Sequence, residues 1–285
     1  MIYLFDAGNR ETHGQYLEQS FRQRHEFFYK LRGWHHQFSF FNMEIDQYDS
    51  RLATYLLSID DNGVVMGGIR VMSTNFGTYI GEFHGPSITD SKYPACFGEN
   101  TWEMYRLWVS NPGWRSATGH KVLTEIMLSL MEYLADVGAE RVLATGDIPH
   151  LEKLPPSWSW REIAPRYSYE EHGRGSVEAM IVEIDISHQM VEATKKFFKF
   201  SGKHYMRAED GLKPRPSLIL PEEFSIVNKW LSINPDKVRE AVALAEGAQS
   251  NQRDLVRFKA MVYEATRAGM LGQFLDNSLT NVKVH

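Results

Sequence analysis

Cysteine is almost absent from the 285-residue chain: Cys96 stands alone. No intrachain disulfide can form, and the reducing cytoplasm is the expected compartment. No base stands beside it in Pro94-Ala95-Cys96-Phe97-Gly98, so it reads as an ordinary thiol rather than a nucleophile. Long hydrophobic runs are missing too. No stretch approaches the ~18 apolar residues of a membrane span. The opening MIYLFDAGNRETHG has no basic patch leading into an apolar segment, so no secretory signal is expected. Positive charge is not in excess: 31 Lys and Arg stand against 36 Asp and Glu, a net charge of −5. A general nucleic-acid binder needs a clustered positive surface, so that class is disfavoured. The 11 histidines show no metal-ligand spacing, and His35-His36 reads as a loop pair. HExxH, CxxC, Walker and GxSxG patterns are absent, so no metal and no bound cofactor are expected.

What the chain does have is core-forming material. Hydrophobic residues make up 43% and aromatic residues 13%, enough for one large domain or a domain with an appendage. Leu17, Phe21, Arg24, Phe28 and Leu31 recur at helical steps over 13–32, and Gly33 follows as a stop. Residues 35–52 lack periodicity and read as an ordered loop. Segments 53–59 and 64–72 read as strands joined at Asp61-Asn62-Gly63, a hairpin signal. Residues 103–110 read as a strand with Met104, Arg106 and Trp108 on one face and Tyr105, Leu107 and Val109 on the other. A helix is expected over 117–137, with Val122, Ile126, Leu130 and Leu134 in register and Gly138 ending it. A strand at 140–145, a loop-rich stretch at 155–175, a strand at 177–185 and a helix at 187–202 follow. Such an order predicts an α/β fold in which a hairpin-built sheet lies between helices. A boundary near Pro214-Arg215-Pro216 divides a domain at 1–215 from a helical C-terminal extension at 216–285. Helices are expected there at 222–233, 235–247 and 251–268, with Asn234-Pro235 and Asn251 as starts. Leu255, Phe258, Met261, Val262 and Ala265 form an apolar stripe that packs on the first domain or on a second subunit.

Polar residues set among aromatics are the candidates for chemistry. Taken singly, each reads as a paired or solvated surface group or as core. Taken jointly, four pieces carry a pattern: Arg24-x3-Phe28-x5-Trp34, Glu44-Ile45-Asp46-Gln47-Tyr48-Asp49, Gly67-Gly68-Ile69-Arg70 and Trp102-Glu103-Met104-Tyr105-Arg106. In order and spacing they resemble the acyl-homoserine-lactone synthase family, the LuxI-type autoinducer synthases, over about residues 1–200. The extension is longer than the resemblance explains.

The resemblance implies a GNAT-like N-acyltransferase fold, a three-layer α/β/α sandwich. It implies S-adenosylmethionine as acceptor and an acyl thioester as donor, giving an N-acyl-homoserine lactone, a quorum-sensing signal, and methylthioadenosine. Glu103 and Arg70 are the expected catalytic residues. Glu103 suits the base that frees the substrate amine, and an ion pair with Arg70 or Arg106 is its structural alternative. Arg24, Phe28, Trp34, Asp46, Asp49 and Arg106 are expected to bind S-adenosylmethionine: arginine suits its carboxylate, acids and aromatic faces its sulfonium. Arg24→Ala is expected to abolish product while the protein stays folded. Backbone groups of the strand from Glu103 to Trp108 are the expected oxyanion donors. Leu123, Met127, Met131, Leu143 and Thr145 are candidates for an acyl-chain pocket. Thr145 falls about where members that prefer 3-oxo chains carry threonine, and the chain preference stays open.

Only Gly119 survives of a Gly-rich loop in Arg115-Ser116-Ala117-Thr118-Gly119-His120, which favours an acyl carrier protein over coenzyme A as donor. Between 187 and 220, seven bases oppose three acids, a net of +4. Lys195, Lys196, Lys199 and Lys203 on that stretch are the candidate dock for an acidic carrier protein. Two other classes stay open: an N-acyltransferase that makes an N-acyl amino acid, and a non-catalytic protein that binds acyl ligands or a regulator. Oligomeric state is not readable from these patterns.

Overall fold

The computed structural model describes residues 1–268 apart from 35–38, 77–78, 82–96, 99, 117–118, 218–226, 228–229, 232, 249–250, 252, 255, 259 and 266. Cys96, His35-His36, Leu255 and part of the Arg115–His120 segment therefore lie outside the described residues.

A twisted open sheet of nine strands is the centre of the fold, and its strands are β1 (Ile2–Phe5), β4 (Thr54–Ile59), β5 (Val65–Ser73), β6 (Thr101–Val109), β7 (Arg141–Asp147), β8 (Trp160–Glu162), β9 (Tyr167–Glu171), β10 (Gly175–Asp185) and β11 (Tyr205–Arg207). The order is β11-β1-β4-β5-β6-β7-β10-β8, with β9 also on β10. The β1/β11 and β6/β7 pairs are parallel and the others antiparallel. A separate two-strand hairpin joins β2 (Ser39–Phe40) to β3 (Met43–Glu44) within the stretch expected to be loop.

Helix α1 (Gly14–Arg24) covers one face of the sheet. Helices α2 (Val122–Asp136) and α3 (His188–Phe198) cover the other, where Val122, Ile126, Leu130 and Leu134 are buried as their spacing predicts. The result is three layers with an open sheet in the middle. Gly138 (φ 77°) ends α2, and the Ser187 hydroxyl accepts the Met190 N–H at the start of α3. In the extension, α4 (Val238–Ala248) is followed by residues 253–268, helical wherever described. Asn251 caps that last segment, its side-chain oxygen accepting the Asp254 N–H at 2.8 Å. Phe258, Met261, Val262 and Ala265 are buried, and they share an apolar core with Phe21 and Phe28. The stripe packs on the chain's own first domain.

Three differences from the sequence reading have physical causes. The 155–175 stretch holds two short strands, because the long β10 offers backbone edges that recruit β8 and β9. β1 and β11 pair with each other, a contact between residues about 200 apart that no local pattern encodes. The alternation expected along 103–110 breaks at a β-bulge. Arg70 pairs with Tyr105 and Gly68 with Trp108, so one residue of β5 faces two of β6, and Arg106 takes φ 57°. Tyr105, Arg106 and Trp108 therefore share the α1 face, while Met104, Leu107 and Val109 join the α2 face.

Candidate active site

Arg24 ends α1, and the chain then widens into a π-helical turn at His25–Leu31, which carries Phe28. Such segments cluster at functional sites because they turn side chains out of the α register. β3 delivers Glu44, the following turn delivers Asp46 and Asp49, β5 Arg70 and the bulge of β6 Arg106. Six charged side chains meet there. Arg24 Nε donates to Glu44 Oε2 (2.6 Å), and its two Nη groups donate to the two oxygens of Asp49 (2.7 and 2.9 Å). Arg70 donates to both oxygens of Asp46 (2.6 and 2.9 Å) and lies 2.6 Å from Asp49 Oδ1. Arg106 Nε donates to Glu44 Oε1 (3.0 Å), and its Nη2 is 3.1 Å from Asp46 Oδ2. The Tyr55 hydroxyl (2.9 Å) and the Asp46 N–H (2.8 Å) complete the shell of Asp49.

Three cations and three anions leave no net charge, the condition under which such burial is tolerable. Burial by itself would push the Asp49 and Glu44 carboxyls up. Arg24 and Arg70 around Asp49, and Arg106 and Arg24 around Glu44, overcome it and hold both below the usual carboxylate range. Burial disfavours the charges of Arg24 and Arg70; Asp49 and Glu44 reverse that for Arg24, and Asp46 and Asp49 for Arg70.

Five of the six side chains are at most 2% exposed, and Arg106 is 9% exposed. The cluster therefore opens at Arg106, whose guanidinium faces the rings of Phe28 (5.5 Å) and Trp34 (5.7 Å). Those rings stack on each other, 5.0 Å apart and 24° from parallel. The sequence-expected binding residues are thus brought together in two tiers. Arg24, Asp46 and Asp49 are saturated by neighbours in the chain, while Arg106 and the half-buried Trp34 stand at the outer edge, backed by Phe28, which is itself buried.

Glu44 is a full member of the cluster and stood in the sequence only as part of a motif; its role shows once the hairpin places it. Arg32 was not foreseen at all. It donates to Glu171 (2.8 and 3.0 Å), Asp147 (3.1 Å) and the Tyr169 hydroxyl (2.9 Å), and lies 4.8 Å over the Trp34 ring. Its partners are more than 110 residues away, so no local signal marks it.

Glu103 lies three residues before the Arg106–Leu107 bulge, fully buried, with Met72 and Leu143 as cross-strand partners. Both its oxygens are 3.2 Å from the Ile80 N–H. The ion pairs of Arg70 and Arg106 go to Glu44, Asp46 and Asp49, so the alternative that paired Glu103 with them is corrected.

The candidate pocket residues do not form one wall. Leu143 lies in an apolar cluster with Ile80, Ile163, Ala164 and Ile181 on the face that holds Glu103, and the Thr145 and Tyr167 hydroxyls are hydrogen-bonded at 2.6 Å. Met131 is buried in the core on the opposite face, with Met127 packed beside it. Leu123 is 41% exposed, which corrects its place in the list: helical register turns it to solvent, away from the sheet. Lys195 also needs correction as part of a dock. It is largely buried and bridges Glu132 (2.8 Å) and Glu192 (3.0 Å), joining α3 to α2. Lys203 pairs with Asp136 (3.3 Å), while Lys196 and Lys199 are exposed. Among the described residues no helix is long and apolar enough to cross a membrane, and no group of three potential ligands could hold a metal.

The sequence profile of the autoinducer synthase family matches residues 9–194. An isovaleryl-homoserine lactone synthase of Bradyrhizobium diazoefficiens is 28% identical over 144 residues, 50% of this chain and 63% of the relative, so the match spans less than two thirds of that protein. Two solved acyl-homoserine lactone synthases, both described as CoA-dependent, share the fold. MesI has a TM-score of 0.60 at 23% identity, over 72% of this chain and 98% of its own. BjaI, in a complex with S-adenosylmethionine and isopentyl-CoA, has a TM-score of 0.62 at 21% identity, over 79% and 98%. With the profile covering well over half of its length, this chain belongs to the autoinducer synthase family.

Proposed function

We propose that the protein is an acyl-homoserine lactone synthase that joins an acyl thioester to S-adenosylmethionine and releases methylthioadenosine, with acyl-CoA as the donor. The observation that carries the reading is the outer edge formed by Arg106 and Trp34, with the buried Phe28 stacked behind Trp34, on a charge-neutral cluster at the β6 bulge. The aromatic faces suit a sulfonium, and the outermost arginine suits a carboxylate. Arg24, Asp46, Asp49 and Arg70 act through position: they hold Glu44, the turn at 46–49 and Arg106 where the substrate needs them. Glu103 is the base that takes the proton of the substrate ammonium, directly or through one water. The amine then attacks the thioester carbon, the C–N bond forms, and the C–S bond breaks with the thiol leaving. The carboxylate of the acylated methionyl group closes on its γ-carbon, and the sulfonium bond breaks to expel methylthioadenosine.

β6 pairs with β7 only from Thr101 to Met104. Backbone N–H groups of β6 past that point that face away from β5 stand outside the ladder and supply the donors a developing oxyanion needs. The apolar cluster around Leu143 is the acyl end of the site. Acyl-CoA is favoured over a carrier protein on two grounds: MesI and BjaI are described as CoA-dependent, and the expected carrier dock loses Lys195 to an internal ion pair.

The test is incubation of purified protein with S-adenosylmethionine and a set of acyl-CoA and acyl-carrier-protein thioesters, read by mass spectrometry. Methylthioadenosine and an acyl-homoserine lactone are expected together, from CoA donors. An acylated amine without methylthioadenosine would identify an N-acyl amino acid synthase instead, and no product from folded protein would leave a binding role.

A further inference from the structure

We infer that the C-terminal extension is a positioning device for the β2–β3 hairpin, and through it for Glu44 and the outer edge of the site. The extension lies beyond the family match at 9–194, and nothing about autoinducer synthesis assigns it a task. The hairpin turns on Phe41 and Asn42, with φ of 53° and 56°. Consecutive left-handed residues are what a two-residue type I′ turn demands, and Asn tolerates that region. Phe does not: its Cβ crowds the backbone there, and such a conformation persists only where surrounding structure holds it.

Among the described residues, Arg22 and Phe258 both hold Phe41. Arg22 Nη1 donates to its carbonyl at 2.5 Å, and its ring packs edge-on against Phe258 of the extension, 5.3 Å away at 81°. Phe258 is 3% exposed and belongs to the same apolar core as Met43, the residue after the turn, and Phe28 behind Trp34. α4 lies alongside β2. Glu44 comes next in the chain and accepts hydrogen bonds from both Arg24 and Arg106.

The support is directed to one side of the site. No described residue of the extension joins the apolar clusters around Leu143 or Tyr105, or the core beneath α2. Loosening the extension should therefore disturb the acceptor side and spare the donor side. That split rests on the proposed function; the mechanical coupling of extension to hairpin does not.

The experiment compares full-length wild type, Phe258→Ala, Phe41→Gly and the double variant by amide hydrogen exchange without ligand, then by steady-state kinetics. Phe258→Ala should speed exchange at Met43–Asp46 by about tenfold or more while β5 and α2 stay protected. Glycine is at ease at φ > 0, so in the Phe41→Gly background the same substitution should have a much smaller effect. Equal exchange in wild type and Phe258→Ala, or an equal effect in both backgrounds, would overturn the inference. Should Phe258→Ala lose protection throughout, Phe258→Leu, which keeps the apolar volume and removes the ring contact, replaces it. With acyl-CoA in excess, the KM for S-adenosylmethionine should rise about fivefold or more, with kcat and the KM for acyl-CoA within about twofold. A loosened hairpin with an unchanged KM would remove Glu44 and the hairpin from the acceptor site. A wild type that consumes no S-adenosylmethionine would sink the proposed function, and the exchange comparison would still decide the coupling.

Discussion

Replacing Arg24 with alanine tests whether the six-charge cluster is a structural keystone or a loose binding surface. The guanidinium is 1% exposed and holds two fully buried carboxylates, with contacts of 2.5 to 2.9 Å. Removing one partner of a buried ion pair typically costs ~3–5 kcal/mol, because the other charge is left uncompensated. Here the loss is softened: Asp49 keeps Arg70, Tyr55 and the Asp46 N–H, and Glu44 keeps Arg106. The lower end, about 3 kcal/mol, is therefore expected. At roughly 2–4 °C per kcal/mol for a domain of this size, Tm should fall by about 6–12 °C. The sequence-based expectation is lost product from a protein that stays folded; the buried pairs add to it an expected loss of stability.

The dependence on pH sharpens the test. Asp49 and Glu44 have folded pKa values held below their unfolded ones. Their stabilisation is fully present above the unfolded values, about 3.9 and 4.3, and is lost as pH falls through the folded values. Urea unfolding of wild type and Arg24→Ala should show a constant gap from pH 7 to 5 that narrows below about pH 4. A Tm within about 2 °C of wild type would refute the reasoning, since no buried pair would then depend on Arg24.

Three further outcomes are expected. A Cβ at Gly68 would stand 2.4 Å from Leu57 Cδ2 and 3.2 Å from the Leu56 carbonyl, so Gly68→Ala should cost about 1–3 kcal/mol by overpacking, measured by the urea midpoint; a neutral effect would mean that β4 and β5 separate freely. Lys195→Glu should cost about 2 kcal/mol through loss of its charged hydrogen bonds to Glu132 and Glu192, whereas the exposed Lys199→Glu should leave Tm almost unchanged, and equal effects would contradict the ion-pair assignment. Burial lowers the pKa of His25 and of His204 below the ordinary histidine value; the folded state favours their neutral forms, so the stability they contribute is present above about pH 6.5 and lost as pH falls through the folded values. Tm should drop between pH 7 and pH 5, less steeply in His204→Gln, and an identical slope in that variant would exclude His204.

Local chemistry was legible wherever a few adjacent residues determine the outcome. The β4–β5 hairpin closes at Gly63, φ 78°, with the Asp60 carboxylate accepting the Asn62 and Val64 N–H groups. The stripe of α2 and the cap at Asn251 follow from spacing and side-chain reach. The charged motif residues were legible as a set, because a pattern of residue types in order survives without any geometry. Their division of labour was not: Asp49 reads the same whether saturated by two arginines or open to a substrate.

The sequence by itself determined the layered α/β architecture, the family and most members of the charged cluster, since periodicity, turn residues and motif order are properties of the chain alone. Tertiary structure decided the rest. Only the pairing of β5 with β6 creates the bulge that moves Arg106 onto the face of Tyr105. Arg32 finds Asp147, Tyr169 and Glu171 only when a distant hairpin folds against it, and Leu143 is separated from Met131 only by the sheet between them. A residue's partners across a sheet, unlike its neighbours along a helix, are set by contacts that no short window contains.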